Sequence, residues 1–310
     1  MEKESLVSIV VLTYNSENYI LDALESVYNQ DYHRIELIVS DDASSDNTIY
    51  VCKNWIRKNN KRFENTKLVI SNCNTGITEN CQRGLLNATG EWIKFLAGDD
   101  ALEKECISIY MEYIKKNNNV KLIQSNSTYY KNFFDKNNII YIRNISNEAL
   151  MKNTLSLKYQ RKILYFSPSV NAPTVFINRQ FLNRIGGFNK QIKSMEDWPL
   201  WIRVNNYGEI IYGVTKCTVK YRVHNNSISN NGNIVNKNYK DLFRFQKKYL
   251  WKELSFIDRI FILYVYKINN LFFHINKLEN NISNYIYKIL LIFYYIYKRI
   301  REIYYLFLFS

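Results

Sequence analysis

Residues 90–102, GEWIKFLAGDDAL, hold the densest chemistry in the chain. A strand-like run, Trp92 to Leu96, ends at the small pair Ala97-Gly98 and then at two adjacent carboxylates, Asp99 and Asp100. Paired charges at the end of a buried strand need compensation. A divalent cation with oxygen ligands, itself held on phosphate oxygens, supplies it. Gly-Asp-Asp is also good turn chemistry, so the same residues read as a metal site or as a plain turn.

The pair can act only if other elements bring partners to it. Val7 to Leu12 is a continuous, largely β-branched run, the pattern of a strand buried on both faces. Thr13-Tyr14-Asn15 follow, with Ser16 placed as a helix N-cap. Ile20, Ala23, Leu24, Val27 and Tyr28 then recur at helical spacing. Ile35 to Val39 predicts a second buried strand ending in Ser40-Asp41-Asp42. Ser45 or Asp46 is set to cap a helix running to Arg57. Lys67 to Ile70 predicts a third strand, Thr78 to Asn87 a helix, and Trp92 to Leu96 a fourth strand. This β-α-β-α-β-α-β order predicts an α/β fold with a mostly parallel sheet and helices on both faces. Such sheets bind ligands beyond the carboxyl ends of their strands. Thr13-Tyr14-Asn15, Asp41-Asp42 and Asp99-Asp100 would therefore meet on one edge.

Further along, Glu103 to Lys116 reads as a helix and Val120 to Tyr130 as a strand. Residues 133–164 are polar, rich in Asn and Lys, and read as a loop or irregular subdomain. Ala172 to Ile177 predicts a strand, and Phe181 to Ile185 leads to Gly186-Gly187-Phe188. Ser194-Met195-Glu196-Asp197 precedes an amphipathic helix, Trp198 to Val204, with Pro199 in its first turn. Tyr221-Arg222-Val223-His224 closes the region.

Six of these segments together resemble the inverting nucleotide-sugar glycosyltransferases of family 2, which have the GT-A fold. They are VSIVVLTYN, ELIVSDDASSDNT, NTGITENCQRGLLNATGEWIKFLAGDD, VFINRQFLNRIGGFN, MEDWPLWIRV and YRVH, in that order over residues 5–225. The resemblance implies a Rossmann-like GT-A domain over residues 1–225. That domain would move one sugar from a nucleotide-sugar donor, UDP-linked, to a glycan acceptor, lipid-linked, with inversion by direct displacement. The implied setting is bacterial surface polysaccharide synthesis: O-antigen, capsule or lipooligosaccharide. Thr13 and Tyr14 would line the base pocket, and Asp42 would accept a hydrogen bond from the base. Asn80 would lie near the diphosphate, Asp99 would touch ribose or sugar, and Asp100 would hold Mg²⁺ or Mn²⁺. Arg222 and His224 would close over the diphosphate, His224 as a metal ligand. Asp197 matches the family's catalytic base, with Glu196 beside it. Asp42 and Asp197 also read as ordinary turn or capping residues. Gly98 stands at the first position of the family's D-x-D pattern, which leaves fewer carboxylates for the ion.

Composition bounds the alternatives. The 310 residues carry a formal net charge of +14 and are 47% hydrophobic, enough for a real core. Five scattered Cys without a C-x-x-C suggest neither a disulfide framework nor a zinc site and suit a reducing cytoplasm. The N-terminal apolar run is short and lacks a basic flank, so it reads as a strand, not a signal peptide. Residues 226–310 hold 13 basic and 5 acidic residues, +8 of the total, and form a basic, aromatic-rich extension. Its longest late apolar run, Ile289 to Tyr297, is too short to span a bilayer. Lys277, Asn281, Asn284, Lys288, Arg299 and Glu302 share one helical face opposite Ile, Leu, Phe and Tyr. Such a helix suits an anionic membrane surface, or packing on the catalytic domain or a second subunit. A nucleic-acid-binding protein is the charge-based alternative, but no zinc knuckle, helix-turn-helix or RNA-binding signature occurs. A nucleotidyltransferase would want a Gly-rich basic loop after the first strand, and TYNSENY is not one. The absence of Q-x-x-R-W favours addition of single sugars over processive synthesis.

Overall fold

The computed structural model describes residues 4–152, 156–192, 195–224, 234–236, 238–275 and 281–309. Ser194 and Lys277, singled out above, lie outside them. Alternation of apolar side chains builds the centre. In β1 (Val7–Thr13), Val7, Ile9 and Val11 enter one core, while Val10 and Leu12 enter another on the opposite face. The chain continues through α1 (Ile20–Tyr28), β2 (Ile35–Asp41), α2 (Thr48–Asn59), β3 (Asn65–Ile70), α3 (Ile77–Asn87) and β4 (Trp92–Ala97). β2 and β4 flank β1 in parallel, with Thr13 opposite Asp41 and Leu12 opposite Ala97. The registers therefore set the three polar strand ends side by side.

The remainder comprises β5 (Ala101–Leu102), α4 (Cys106–Lys116), β6 (Leu122–Lys131), β7 (Ile139–Arg143), α5 (Leu157–Phe166), β8 (Phe176–Asn178), α6 (Arg179–Arg184), α7 (Trp198–Asn206) and β9 (Ile211–Val223). Three helices follow: α8 (Tyr239–Phe245), α9 (Phe256–Phe272) and α10 (Asn281–Phe309). Among the described residues nine strands form one sheet, ordered β3-β2-β1-β4-β8-β6-β9-β5, with β7 on β6. β8 runs antiparallel to β4 and β6, and β6 runs parallel to β9.

Several expectations need correction. Ser16 does not cap α1 with its side chain: its hydroxyl turns to the Tyr14 carbonyl, and only its own carbonyl receives the amides of Tyr19 and Ile20. Asp46 does tie down α2, accepting from the Thr48 amide at 3.0 Å. Residues 133–164 are more regular than their composition suggested. They hold β7 and α5, and Ile145, Leu150, Tyr159, Ile163 and Leu164 enter the core. Ser156 caps α5 by accepting from the Tyr159 amide. Ala172–Thr174 is a 3-10 turn, not the start of a strand.

The C-terminal helices pack on the α5 side. Leu291, Tyr294, Tyr297, Arg301 and Tyr305 of α10 lie against the rest of the molecule, and Arg301 forms a buried 2.6 Å ion pair with Asp258 of α9. Arg301 also donates to the Lys162 carbonyl within α5, at 2.8 Å. A second arc of α10, with Ile286, Ile289, Phe293, Ile296, Ile300 and Phe307, is exposed and apolar. Of the predicted polar face, Asn281, Lys288 and Arg299 are exposed, whereas Asn284 and Glu302 are half-buried.

Candidate active site

The end of β1 knots its neighbours together. The Asp42 amide donates to the Thr13 carbonyl at 3.0 Å, and the Gly98 amide to the Leu12 carbonyl at 2.8 Å. The Thr13 hydroxyl donates to Asp41 at 2.6 Å, and Ser44 donates to Asp41 with both amide and hydroxyl. Tyr14, next along, is 49% exposed and presents its ring at this edge. Asp42 is buried and accepts from the Thr75 amide and hydroxyl and from the Gly76 amide, at 2.6–2.9 Å. Arg83 completes its shell at 3.2 Å. Asn80 is an internal brace: its amide oxygen accepts from Ser40 and Arg83, and its nitrogen reaches the Thr13 carbonyl. Arg83 escaped the sequence reading. Its place three residues after Asn80, one helical turn along, was the available signal.

On the other side of β1, β9 clamps the Gly98–Asp100 turn. The Arg222 amide donates to Asp100 at 2.9 Å, and its Nε to the Asp99 carbonyl at 2.7 Å. The same guanidinium donates to the Asn132 carbonyl and to Asp22 of α1 at 2.6 Å. It lies 3.9 Å from the Phe134 ring centroid and 5.0 Å from that of Tyr19. Arg222 is thus buried with all three nitrogens engaged within the protein. His224 sits 3.0 Å from Asp99 and packs against Tyr19 at 4.5 Å. Asp22, Tyr19 and Phe134 carry no motif signal; only their contacts reveal them.

Asp197 heads α7 and accepts from the Trp198 amide at 2.6 Å, so it does cap the helix. Asp197 is half-buried as a residue, and one carboxylate oxygen is engaged by that cap. Burial raises its pKa above the ordinary value, while the amides of its own turn and the charge of Arg143 pull it back. Glu196 is pushed up by burial and by Asp197. Arg143 reaches this neighbourhood from β7, held by Glu148 at 2.6 and 3.0 Å.

The donor set fits a hard dication shared with a ligand. Asp100 is buried, and burial followed by the charge of Asp99 pushes its carboxyl well above the ordinary range. A bound cation would reverse that penalty. Among the described residues no group of three or more His, Cys, Asp or Glu is arranged to hold a metal alone. One or two carboxylates completed by phosphate oxygens is a normal arrangement for Mg²⁺. A cavity of 320 Å³ is lined by Tyr165, Pro199, Arg203, Phe245 and Tyr249, and not by these carboxylates.

Known proteins resemble this chain in sequence and fold. A putative teichuronic acid biosynthesis glycosyltransferase, TuaG of Bacillus subtilis, is 26% identical over 227 residues, covering 73% of this chain and 82% of the relative. An Escherichia coli UDP-Glc:alpha-D-GlcNAc-diphosphoundecaprenol beta-1,3-glucosyltransferase, WfaP, is 25% identical over 271 residues, 87% of this chain and 95% of its own. Staphylococcus aureus TarS 1-349 in complex with UDP-GlcNAc superposes with TM-score 0.58 at 20% identity, over 88% of this chain and 74% of that one. A Pyrobaculum calidifontis mannosyltransferase in complex with GDP-Man and Mn²⁺ gives 0.56 at 18% identity, over 73% and 59%. These structures share the GT-A fold expected above. Residues 8–185 match Glycosyl transferase family 2, which sets aside the nucleic-acid and nucleotidyltransferase readings, and the chain belongs to that family.

Proposed function

We propose that this glycosyltransferase moves one sugar from a UDP-linked donor to a glycan carried on a lipid diphosphate, in the synthesis of a bacterial surface polysaccharide. The observation that carries the reading is the single edge formed by Thr13, Asp42 and the Gly98–Asp100 turn, with His224 beside Asp99. Relatives whose names specify undecaprenol-linked acceptors support the acceptor class.

Thr13, Tyr14 and Asp42 face the nucleoside end, and the Thr75–Gly76 amides with Arg83 hold the Asp42 carboxylate in place. Asn80 braces the strand ends beside the diphosphate. Asp99, steadied by His224, meets ribose or sugar. Asp100 would hold Mg²⁺ or Mn²⁺, with His224 as a further ligand. When bound, the ion offsets charge on the departing diphosphate. Arg222 keeps the carboxylate turn in shape from below. Asp197 takes the proton of the attacking acceptor hydroxyl, with Glu196 beside it. Attack from the face opposite the leaving group inverts the anomeric centre.

Residues 226–310 form, in this reading, an extension that rests on an anionic membrane. No helix among the described residues is long and apolar enough to cross one. The exposed arc of α10, edged by Lys288 and Arg299, would lie in the interface plane as a peripheral anchor. The Asp197→Asn variant tests the chemistry. It should lose transfer by about two to four orders of magnitude while donor binding holds; full activity would refute the base assignment.

A further inference from the structure

A ladder of tyrosines crosses three strands beside the site. Tyr129 of β6 pairs in register with Tyr141 of β7 and with Tyr221 of β9. The Tyr129 ring stacks on Tyr141 at 4.4 Å and 15°, and on Tyr221 at 4.5 Å and 35°. Cross-strand stacking alone would stabilise the sheet. Two features go beyond that. β7 pairs only with β6 among the described residues, and Tyr141 is 50% exposed, so one ring face of the ladder is open. Each end of the ladder also lies close along its strand to a residue that bears on the candidate site. Tyr221 precedes Arg222, whose amide holds Asp100. Tyr141 lies two residues from Arg143 on the same strand face, and the Arg143 charge acts on Asp197.

Resting on the proposed function, we infer that Tyr141, Tyr129 and Tyr221, with the Arg143–Glu148 pair, form a subsite for a pyranose ring of the acceptor glycan. The C–H face of a sugar stacks on an open aromatic ring, and a planar, doubly bonded Arg–Glu pair offers fixed partners for its hydroxyls. In this proposal the bound ring stands between the donor and Asp197, where its hydroxyl can reach the anomeric carbon.

The test is saturation-transfer NMR with methyl glycosides of glucose, galactose and N-acetylglucosamine, in the presence of Mg²⁺ and excess UDP to fill the donor site. Wild-type protein should transfer saturation to ring protons of at least one glycoside. Tyr141→Phe should keep the signal, and Tyr50→Ala, at an exposed tyrosine on α2, should keep it too. Tyr141→Ala should weaken binding about tenfold. An unchanged signal in Tyr141→Ala, or no wild-type signal from any of the three glycosides, overturns the inference. UDP protection against thermal unfolding, read on the same samples, separates the two readings. Glycoside contact without UDP protection supports the ladder and counts against the donor site alone.

Discussion

Gly98 occupies the position where a D-x-D pattern has its first carboxylate, and the structure gives a reason. A Cβ there would lie 3.1 Å from the Leu12 carbonyl, 3.2 Å from Thr13 Cγ2 and 3.3 Å from Ser16 Oγ. The nearest obstacle is backbone, and the Gly98 amide already binds that same carbonyl. Overpacking of this kind costs about 1–3 kcal/mol. Reduced freedom of the unfolded chain returns about 0.4–1 kcal/mol. Gly98→Ala should therefore lose about 1–2 kcal/mol net. For a chain of this size that is about 2–6 °C in Tm. Gly98→Asp should lose more, because a third carboxylate would join Asp99 and Asp100. Urea unfolding monitored by Trp fluorescence measures the loss as a fall in midpoint at constant slope. Ser16→Gly should not rescue either variant, since the Leu12 carbonyl stays in place. Should Gly98→Asp prove as stable as wild type and bind UDP more tightly with Mn²⁺, the steric reasoning is wrong.

Three further predictions concern catalysis and the membrane. Asp197 must be ionised to accept a proton, and burial raises its pKa, so activity should fall as pH drops through that raised value. Arg143→Gln removes a charge that favours the ionised form and leaves Glu148 unpaired, so the acid limb of a kcat/KM profile should move to higher pH. A limb that stays put or moves lower would show that Arg143 does not act on Asp197. Replacing Ile289, Phe293 and Ile300 with Gln should release the protein from vesicles containing phosphatidylglycerol without changing its melting curve, because all three are exposed. Unchanged co-sedimentation would remove the membrane from the account.

The parts of this molecule legible in sequence are those where one physical constraint acts alone. The runs in β1, β2 and β4 are apolar because both sheet faces are covered, and a period of two needs no knowledge of the rest. Even there charges are buried, Glu36 in β2 among them. Lys94 of β4 is fully buried and donates to the Phe95 and Pro173 carbonyls at 2.7 and 2.5 Å, and burial lowers its amine to about 8. The α5 segment was obscured because Lys158, Arg161 and Lys162, on its less buried face, break up its apolar run in sequence, and its inner face fills only once α7 packs on it. On α10 the sequence shows one broad apolar surface. Tertiary contact divides it into a packed stripe through Leu291 and Arg301 and an open arc through Phe293 and Ile300. Packing on the protein and readiness for a membrane are therefore compatible on one helix. Residue types alone marked Asp42 and Asp100 as candidates, and the strand registers set them at one sheet edge. The work of Arg222 depends on partners from Asp22 to Asn132 that only the fold assembles.

The account rests on one nucleoside diphosphate spanning the ends of β2 and β4. Isothermal calorimetry of UDP with Mg²⁺ on wild type, Asp42→Ala and Asp100→Ala tests it most directly. Both variants should lose about tenfold or more in affinity, as expected for removing a charged partner worth at least about 1.4 kcal/mol, and only Asp100→Ala should lose the dependence on Mg²⁺. UDP binding that survives unchanged in either variant would contradict a shared site.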